Sequence, residues 1–418
     1  MSKINFYYLV IFYFFSALLN LHLLRNLIPG FEFILILVLF SAIFISINHL
    51  EFDINNHIHW LFLSIFFISL YVIILSLFQR DASGDLLSLS QVILSSARLM
   101  IMPLSVIVFF IYVKDEKVLF NVINLFIFIS VLAALSYVYQ YYFGAIEWFA
   151  SGSGELKRGV NYRFSSLHGS ITVSAVTLSL AFVSASYIYR SLTLRAIILP
   201  IILIGLIMSL QKASLINIVL ILFLIFLFSE SKIKIFLIYL FASIILYFTI
   251  QTLYEFNNEL IFVSHLYDLI SHTLNTNLFE DKGLEGDSLR FRLYGGAMGM
   301  ISEYGSQMII YGKGFVGAGS TMGIIGGQSH NTFWDLIFMG GFIYFLLFVI
   351  LIIATMKIFI KPQNKYDKIF AISNIILIVN CLQSSILFFQ PVTSFIFWIS
   401  IIYASNKNLF HSSIKIDQ

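Results

Sequence analysis

Phe342-Ile343-Tyr344-Phe345-Leu346-Leu347-Phe348-Val349-Ile350-Leu351-Ile352-Ile353-Ala354-Thr355-Met356 runs for fifteen residues without a charge, a proline or a glycine. Extended back to Asn331, the stretch holds a single charge, Asp335. A helix rises about 1.5 Å per residue, so roughly 20 such residues cross a ~30 Å hydrocarbon core. Similar runs rich in Leu, Ile and Phe recur along the chain, at about 5–24, 30–48, 58–78, 90–113, 118–143, 170–189, 195–211, 214–230, 235–255, 331–356, 369–389 and 393–405. They predict twelve spans. The first is too apolar for too long to be a typical signal peptide, and no convincing small-residue cleavage site follows it. Of the 418 residues, 60% are apolar and only 11% charged, with a mean hydropathy of +0.95. A soluble domain is roughly a quarter charged, so a soluble enzyme is excluded. The expected fold class is an all-α polytopic membrane protein of about 12 transmembrane helices, with residues 1–418 as a single integral-membrane domain. Composition alone leaves transporter, channel and membrane enzyme open.

Orientation follows from Lys and Arg in the connections. With the N-terminus inside, thirteen of the 24 basic residues fall on the inner side and ten on the outer, while Arg98 lies within a span. The short connections Lys114–Lys117, Arg190–Arg195, Lys232–Lys234 and Lys357–Lys368 are all inner, and short loops weigh most. Both termini are therefore expected in the cytoplasm.

Two outer connections are long, at about 144–169 and about 256–330, the second lying before the tenth helix. Long ordered loops are usually functional. The second opens with an amphipathic stretch containing Leu260, Ile261, His265, Leu266, Leu269 and Ile270, suited to a membrane surface. An acidic turn from Glu280 to Asp287 follows. A helix is then expected over about 288–303, where Arg290 and Tyr294 share a face by i,i+4 spacing. A glycine-rich run, Gly312 to Gly327, leads to His330 at the mouth of the tenth span. The first loop interleaves Lys157, Arg158 and Arg163 with Trp148, Tyr162 and Phe164. Guanidinium groups fork onto phosphate oxygens and aromatic faces cover sugar rings, so the loop suits an anionic glycan. Lipid headgroup binding and interfacial anchoring explain the same residues.

Several chemistries are absent from the pattern. Gly312-Lys313-Gly314 does not fit a phosphate loop, and no strand is expected before it. The nine histidines are scattered and show no metal-ligand spacing. The one cysteine, Cys381, excludes a disulfide framework and a cysteine-based zinc or iron–sulfur site. A net charge of +3 is too small to point to nucleic acid. No metal and no cofactor are expected.

His330-Asn331, followed by nine residues and then Gly341 and Tyr344, resembles the His-Asn signature of the O-antigen polymerase and O-antigen ligase superfamily. Upstream, Ser288-Leu289-Arg290 to Tyr294 and Tyr311-Gly312-Lys313-Gly314-Phe315 look like the arginine helix and glycine turn that precede that signature. Twelve spans with a long outer loop before the tenth also match. The resemblance implies an integral-membrane glycosyltransferase of the bacterial inner membrane, with its long loops periplasmic. Its substrate would be an oligosaccharide carried on undecaprenyl pyrophosphate, in contact with the lipid bilayer, and a chain-length regulator protein is a further implied partner. One departure stands out. Family members commonly carry Ser-Arg at the outer start of the helix corresponding to 214–230, where this chain reads Ser209-Leu210-Gln211-Lys212-Ala213-Ser214. Lys212 keeps the charge and loses the bidentate fork.

The resemblance assigns roles residue by residue. His330 becomes a general base toward an acceptor hydroxyl, against the alternative of an interfacial histidine. Asn331 orients a hydroxyl or phosphate oxygen, or caps the helix. Arg290, with Tyr294 beside it, binds diphosphate; Arg292 reads rather as a solvated or headgroup-facing charge. Lys212, Arg163 and Arg158 are candidate substrate contacts. Arg98, about two turns inside the fourth span, either serves the substrate or snorkels to the interface. Asp335 stands about 140° around the helix from His330, poorly placed to orient it, and Gly340 and Gly341 suit close packing. The expected reaction is polymerisation of lipid-linked repeat units. Ligation of polymer to lipopolysaccharide core is the alternative, and a lipid-linked oligosaccharide flippase is the rival from another class.

Overall fold

The computed structural model describes residues 18–19, 24, 28, 31–46, 56–78, 88–146, 149, 155–158, 161–209, 211–229, 309–312, 314, 331–384 and 387–406. Among them are ten helices: α1 (Phe31–Ser46), α2 (His57–Leu77), α3 (Leu89–Tyr112), α4 (Glu116–Phe143), α5 (Ile171–Ile188), α6 (Leu192–Met208), α7 (Lys212–Leu227), α8 (Thr332–Phe359), α9 (Lys365–Cys381) and α10 (Pro391–Ser405). They stand at ten of the twelve expected spans; 235–255 and nearly all of 5–24 lie outside the described residues. Of these helices α2, α4, α5 and α8 are long and apolar enough to cross a membrane. Their outward faces carry large apolar side chains such as Phe67, Phe128 and Ile353, which water would penalise and lipid does not. This is the build of a helical membrane protein.

Helix starts follow the side chains that cap them. Asn56 accepts from the Ile58 amide at 3.0 Å and Asp115 from the Val118 amide at 2.8 Å. Asn364 accepts from Asp367 N at 2.9 Å while the Asp367 carboxylate accepts from Gln363 N at 2.8 Å. Each cap satisfies amides that have no partner in the first helical turn.

The described residues fall into two compact units. The first draws on residues within 1–123, 284–361 and 377–418. Its core is aromatic: Phe348 meets Phe388, Phe389 and Trp398 at ring distances of 5.5, 5.9 and 6.3 Å, and Phe359 stacks on Tyr403. α10 is buried on every side from Pro391 to Ala404. A helix apolar all round belongs inside. The expected span 369–389 is interrupted here: α9 stops at Cys381, a buried 3-10 turn occupies Leu387–Phe389, and Pro391 opens α10 at its first turn. At the first turn of α10 the proline costs nothing, because its missing amide would have had no helical partner there.

The second unit draws on residues within 124–283 and 362–376. Small residues let its helices approach closely. A Cβ on Gly205 of α6 would lie 2.5 Å from that of Ala134 in α4. Between α5 and α7, the Asn217 amide donates to Ser179 Oγ at 3.1 Å. Within the first long loop, a stretch read from sequence without regular structure, the chain forms an antiparallel hairpin of β1 (Glu155–Arg158) and β2 (Asn161–Phe164). Among the described residues the fold is helical, with one two-stranded hairpin.

Candidate functional site

Asn331 opens α8. Its side-chain oxygen accepts from the amides of Phe333 and Trp334 at 2.9 and 3.3 Å, so it caps the helix that His330 would precede. Thr332 follows, fully buried, donating to Ser384 O at 2.5 Å and accepting from Leu387 N at 3.2 Å. Asp335 is also fully buried, and Cys381 lies beside Thr332 and Asp335. The sequence indicated a charge here but not that it would be completely enclosed.

α8 is not a straight rod. At Gly341 the backbone turns to φ 75, ψ −177, a region open essentially to glycine alone. The break divides the helix into a short arm, 332–340, and a long arm, 342–359. The rings of Phe333 and Phe345 consequently stand 6.1 Å apart, where a straight helix would separate the two residues by about 18 Å along its axis. This corrects the single continuous span expected over 331–356.

Residues 310–312 and 314 of the second long loop fill this elbow. Gly314 N donates to Met339 O at 2.9 Å, satisfying a carbonyl that the break leaves without its helical partner. A Cβ on Gly312 would fall 2.5 Å from Met339 O, one on Gly314 2.6 Å from Ser76 Oγ, and one on Gly341 2.0 Å from Ile310 O. Backbone therefore meets backbone. Tyr344, fully buried in the long arm, shares a 3.0 Å hydrogen bond with Ser69 of α2. The structure thus brings Gly312 and Gly314 against the bend at Gly341, while Asn331 caps the far end of the short arm and Tyr344 ties the long arm to Ser69. His330, Arg290, Arg292 and Tyr294 lie outside the described residues.

In the second unit the hairpin register pairs Glu155 with Phe164, Leu156 with Arg163, Lys157 with Tyr162 and Arg158 with Asn161. Opposed residues share a face and alternate along each strand, so positions 158 and 163 belong to one face and position 164 to the other. Phe164 itself is buried edge-on against Tyr141, with ring centroids 5.5 Å apart. Lys212 is the first residue of α7, just inside the turn that a 2.6 Å Ser209–Ser214 hydroxyl contact closes. Arg98 stands in α3, about two and a half turns from its first residue Leu89.

One buried group went unnoticed in the sequence. His168, 2% exposed, sets its ring Nε2 3.0 Å from Ser130 Oγ, and its amide donates to Ser166 Oγ at 3.0 Å. The available signal was the polar run Ser165-Ser166-Leu167-His168-Gly169-Ser170 directly before an apolar helix. Among the described residues no group of three or more His, Cys, Asp or Glu is placed to hold a metal ion.

No family model matches the chain, and comparison with curated proteins finds no similar one.

Proposed function

We propose that the protein is a membrane glycosyltransferase that joins oligosaccharide repeat units carried on undecaprenyl pyrophosphate, as an O-antigen polymerase does, on the periplasmic face of the bacterial inner membrane. The observation that carries the reading is the elbow. Gly341 makes the bend, Asn331 caps the start of the arm before it, Tyr344 ties the arm after it to Ser69, and Gly312 and Gly314 dock into it. The described residues of the segment that resembles the signature thus each help to shape α8.

In this reading the chain has twelve spans, with loops 144–169 and 256–330 periplasmic. His330 accepts the proton of an acceptor hydroxyl as that oxygen attacks the anomeric carbon of the donor. The bond from that carbon to the diphosphate breaks, and undecaprenyl pyrophosphate leaves with its electron pair. Arg290 neutralises the growing charge, with Tyr294 beside it. Lys212, Arg163, Arg158 and Arg98 bind the anionic part of the donor, and Asn331 fixes the start of the helix behind His330. Energy comes from the pyrophosphate-linked donor itself.

Purified protein given only lipid-linked repeat units should build a ladder of longer glycans on lipid. His330→Ala and Arg290→Ala should each abolish the ladder while the protein still accumulates in the membrane. Arg290→Lys should keep part of the activity, because a point charge replaces a fork. A deletion strain carrying bare lipopolysaccharide core and long polymer stranded on its carrier would replace polymerase by ligase. Unchanged polymer with substrate trapped on the cytoplasmic side would favour transport.

A further inference from the structure

Gln140, near the end of α4, closes the neck of the first long loop. Its Nε2 donates to Ser165 O at 2.8 Å and its Oε1 accepts from Ile146 N at 3.1 Å. One planar amide thereby joins positions 146 and 165, the two ends of the stretch that holds the hairpin. Only an amide offers a donor and an acceptor side by side at this reach; a carboxylate lacks the donor and a serine is too short. A second fastening lies next to it. Ser166 and Gly169 exchange backbone hydrogen bonds of 2.9 Å, Ser166 Oγ lies 2.5 Å from Ser174 Oγ of α5, and His168 reaches Ser130 of α4. Gln140, Ser166, His168, Ser130 and Ser174 are all buried. A small hairpin on a loose loop would sample many placements; one rising from a closed neck does not.

We propose that Gln140 and His168 are positioning residues that hold the face carrying positions 158 and 163 in its binding orientation, an inference that rests on the reading of that hairpin as a contact for the anionic donor. Both are buried and act through the neck. Pre-placing a binding face lowers the ordering cost of binding, so the effect falls on affinity and not on the chemical step.

The test uses the full chain in lipid vesicles, with Gln140→Ala, Gln140→Glu, His168→Ala and the milder His168→Gln. Trypsin cleavage after Lys157, Arg158 and Arg163 reports the neck without assuming any activity. Initial rates against lipid-linked repeat unit separate KM from kcat. Gln140→Ala and His168→Ala should speed cleavage by about tenfold, the factor implied by losing a buried hydrogen-bonded group. KM should rise several-fold with kcat held within about twofold. Gln140→Glu, which sets a buried carboxylate against the Ser165 carbonyl, should open the neck at least as far as Gln140→Ala, and His168→Gln, which keeps a polar group facing Ser130, should restore both readouts. Unchanged cleavage in both alanine variants overturns the closed neck. Faster cleavage with unchanged KM, or a fall in kcat alone, overturns the positioning role. A wild-type chain that does not turn over lipid-linked donor removes the functional reading and the positioning role with it, whereas the protease result alone still decides whether the neck is closed.

Discussion

Gly341 and Asn331 decide how α8 begins and turns. Gly341 combines a backbone conformation barred to other residues with a Cβ position 2.0 Å from Ile310 O. Gly144 separates the two effects, because it has φ +92 but nothing within 4 Å of a Cβ. Gly144→Ala should therefore cost only the conformational term, about 1–2 kcal/mol. Gly341→Ala must also expel the 309–314 segment, and should lower the thermal midpoint in detergent much further. Equal midpoints for the two variants would contradict the elbow. For Asn331 the expected loss on mutation to Ala is about 1 kcal/mol, with Asn331→Asp keeping the cap. Measured glycan transfer then assigns the side chain: a stable, active Asn331→Asp makes it a cap, and a stable, inactive one gives it a part in chemistry.

At the scale of elements, the apolar runs were legible because a bilayer demands them, and helices stand at ten of the expected places. What hydropathy could not register is conformation within a run. Gly340-Gly341 barely dents the hydropathy of 331–356, yet one positive φ folds the helix into two arms. The long arm of eighteen residues still spans about 27 Å. The expected 369–389 span likewise stops early, with α9 ending at Cys381 and a separate 3-10 turn at Leu387–Phe389. The hairpin escaped notice because four-residue strands around Gly159-Val160 carry too little periodicity to stand out. Its basic content was legible; the pairing that puts positions 158 and 163 on one face was not. The burial of Asp335 and of His168 depends on partners distant in sequence, which no local pattern encodes. The register itself is testable. Cysteines replacing Lys157 and Tyr162, directly opposed in the ladder, have Cβ atoms about 5 Å apart and should cross-link readily under mild oxidation. Cysteines at 156 and 162 should not, and preferential linkage of that pair would mean the strands have slipped by one residue.

For the whole molecule the orientation drawn from Lys and Arg makes a direct prediction. Single cysteines introduced at positions 150 and 285 of the Cys381→Ser chain should react with a membrane-impermeant reagent from outside, and one at 362 only after the membrane is opened. Labelling of 285 solely from the cytoplasmic side would remove the proposed function along with the topology.

The first unit is assembled from pieces far apart in the chain. Ser69 meets Tyr344 across 275 residues of sequence, and the Asn56 amide reaches Ser405 O across 349. Synthesis runs from N- to C-terminus, so α1, α2 and α3 enter the bilayer long before α8 and α10 exist. Until those arrive, the surfaces destined to enclose α10 have only lipid or an insertion factor to face. Insertion and assembly are therefore two separate events in the biogenesis of this unit, and the interval between them is set by the ribosome's pace through the two hundred or so intervening residues. Mutations that weaken the α2–α8 contact should thus act first on yield, by lengthening the time for which half-built protein is open to quality-control proteolysis.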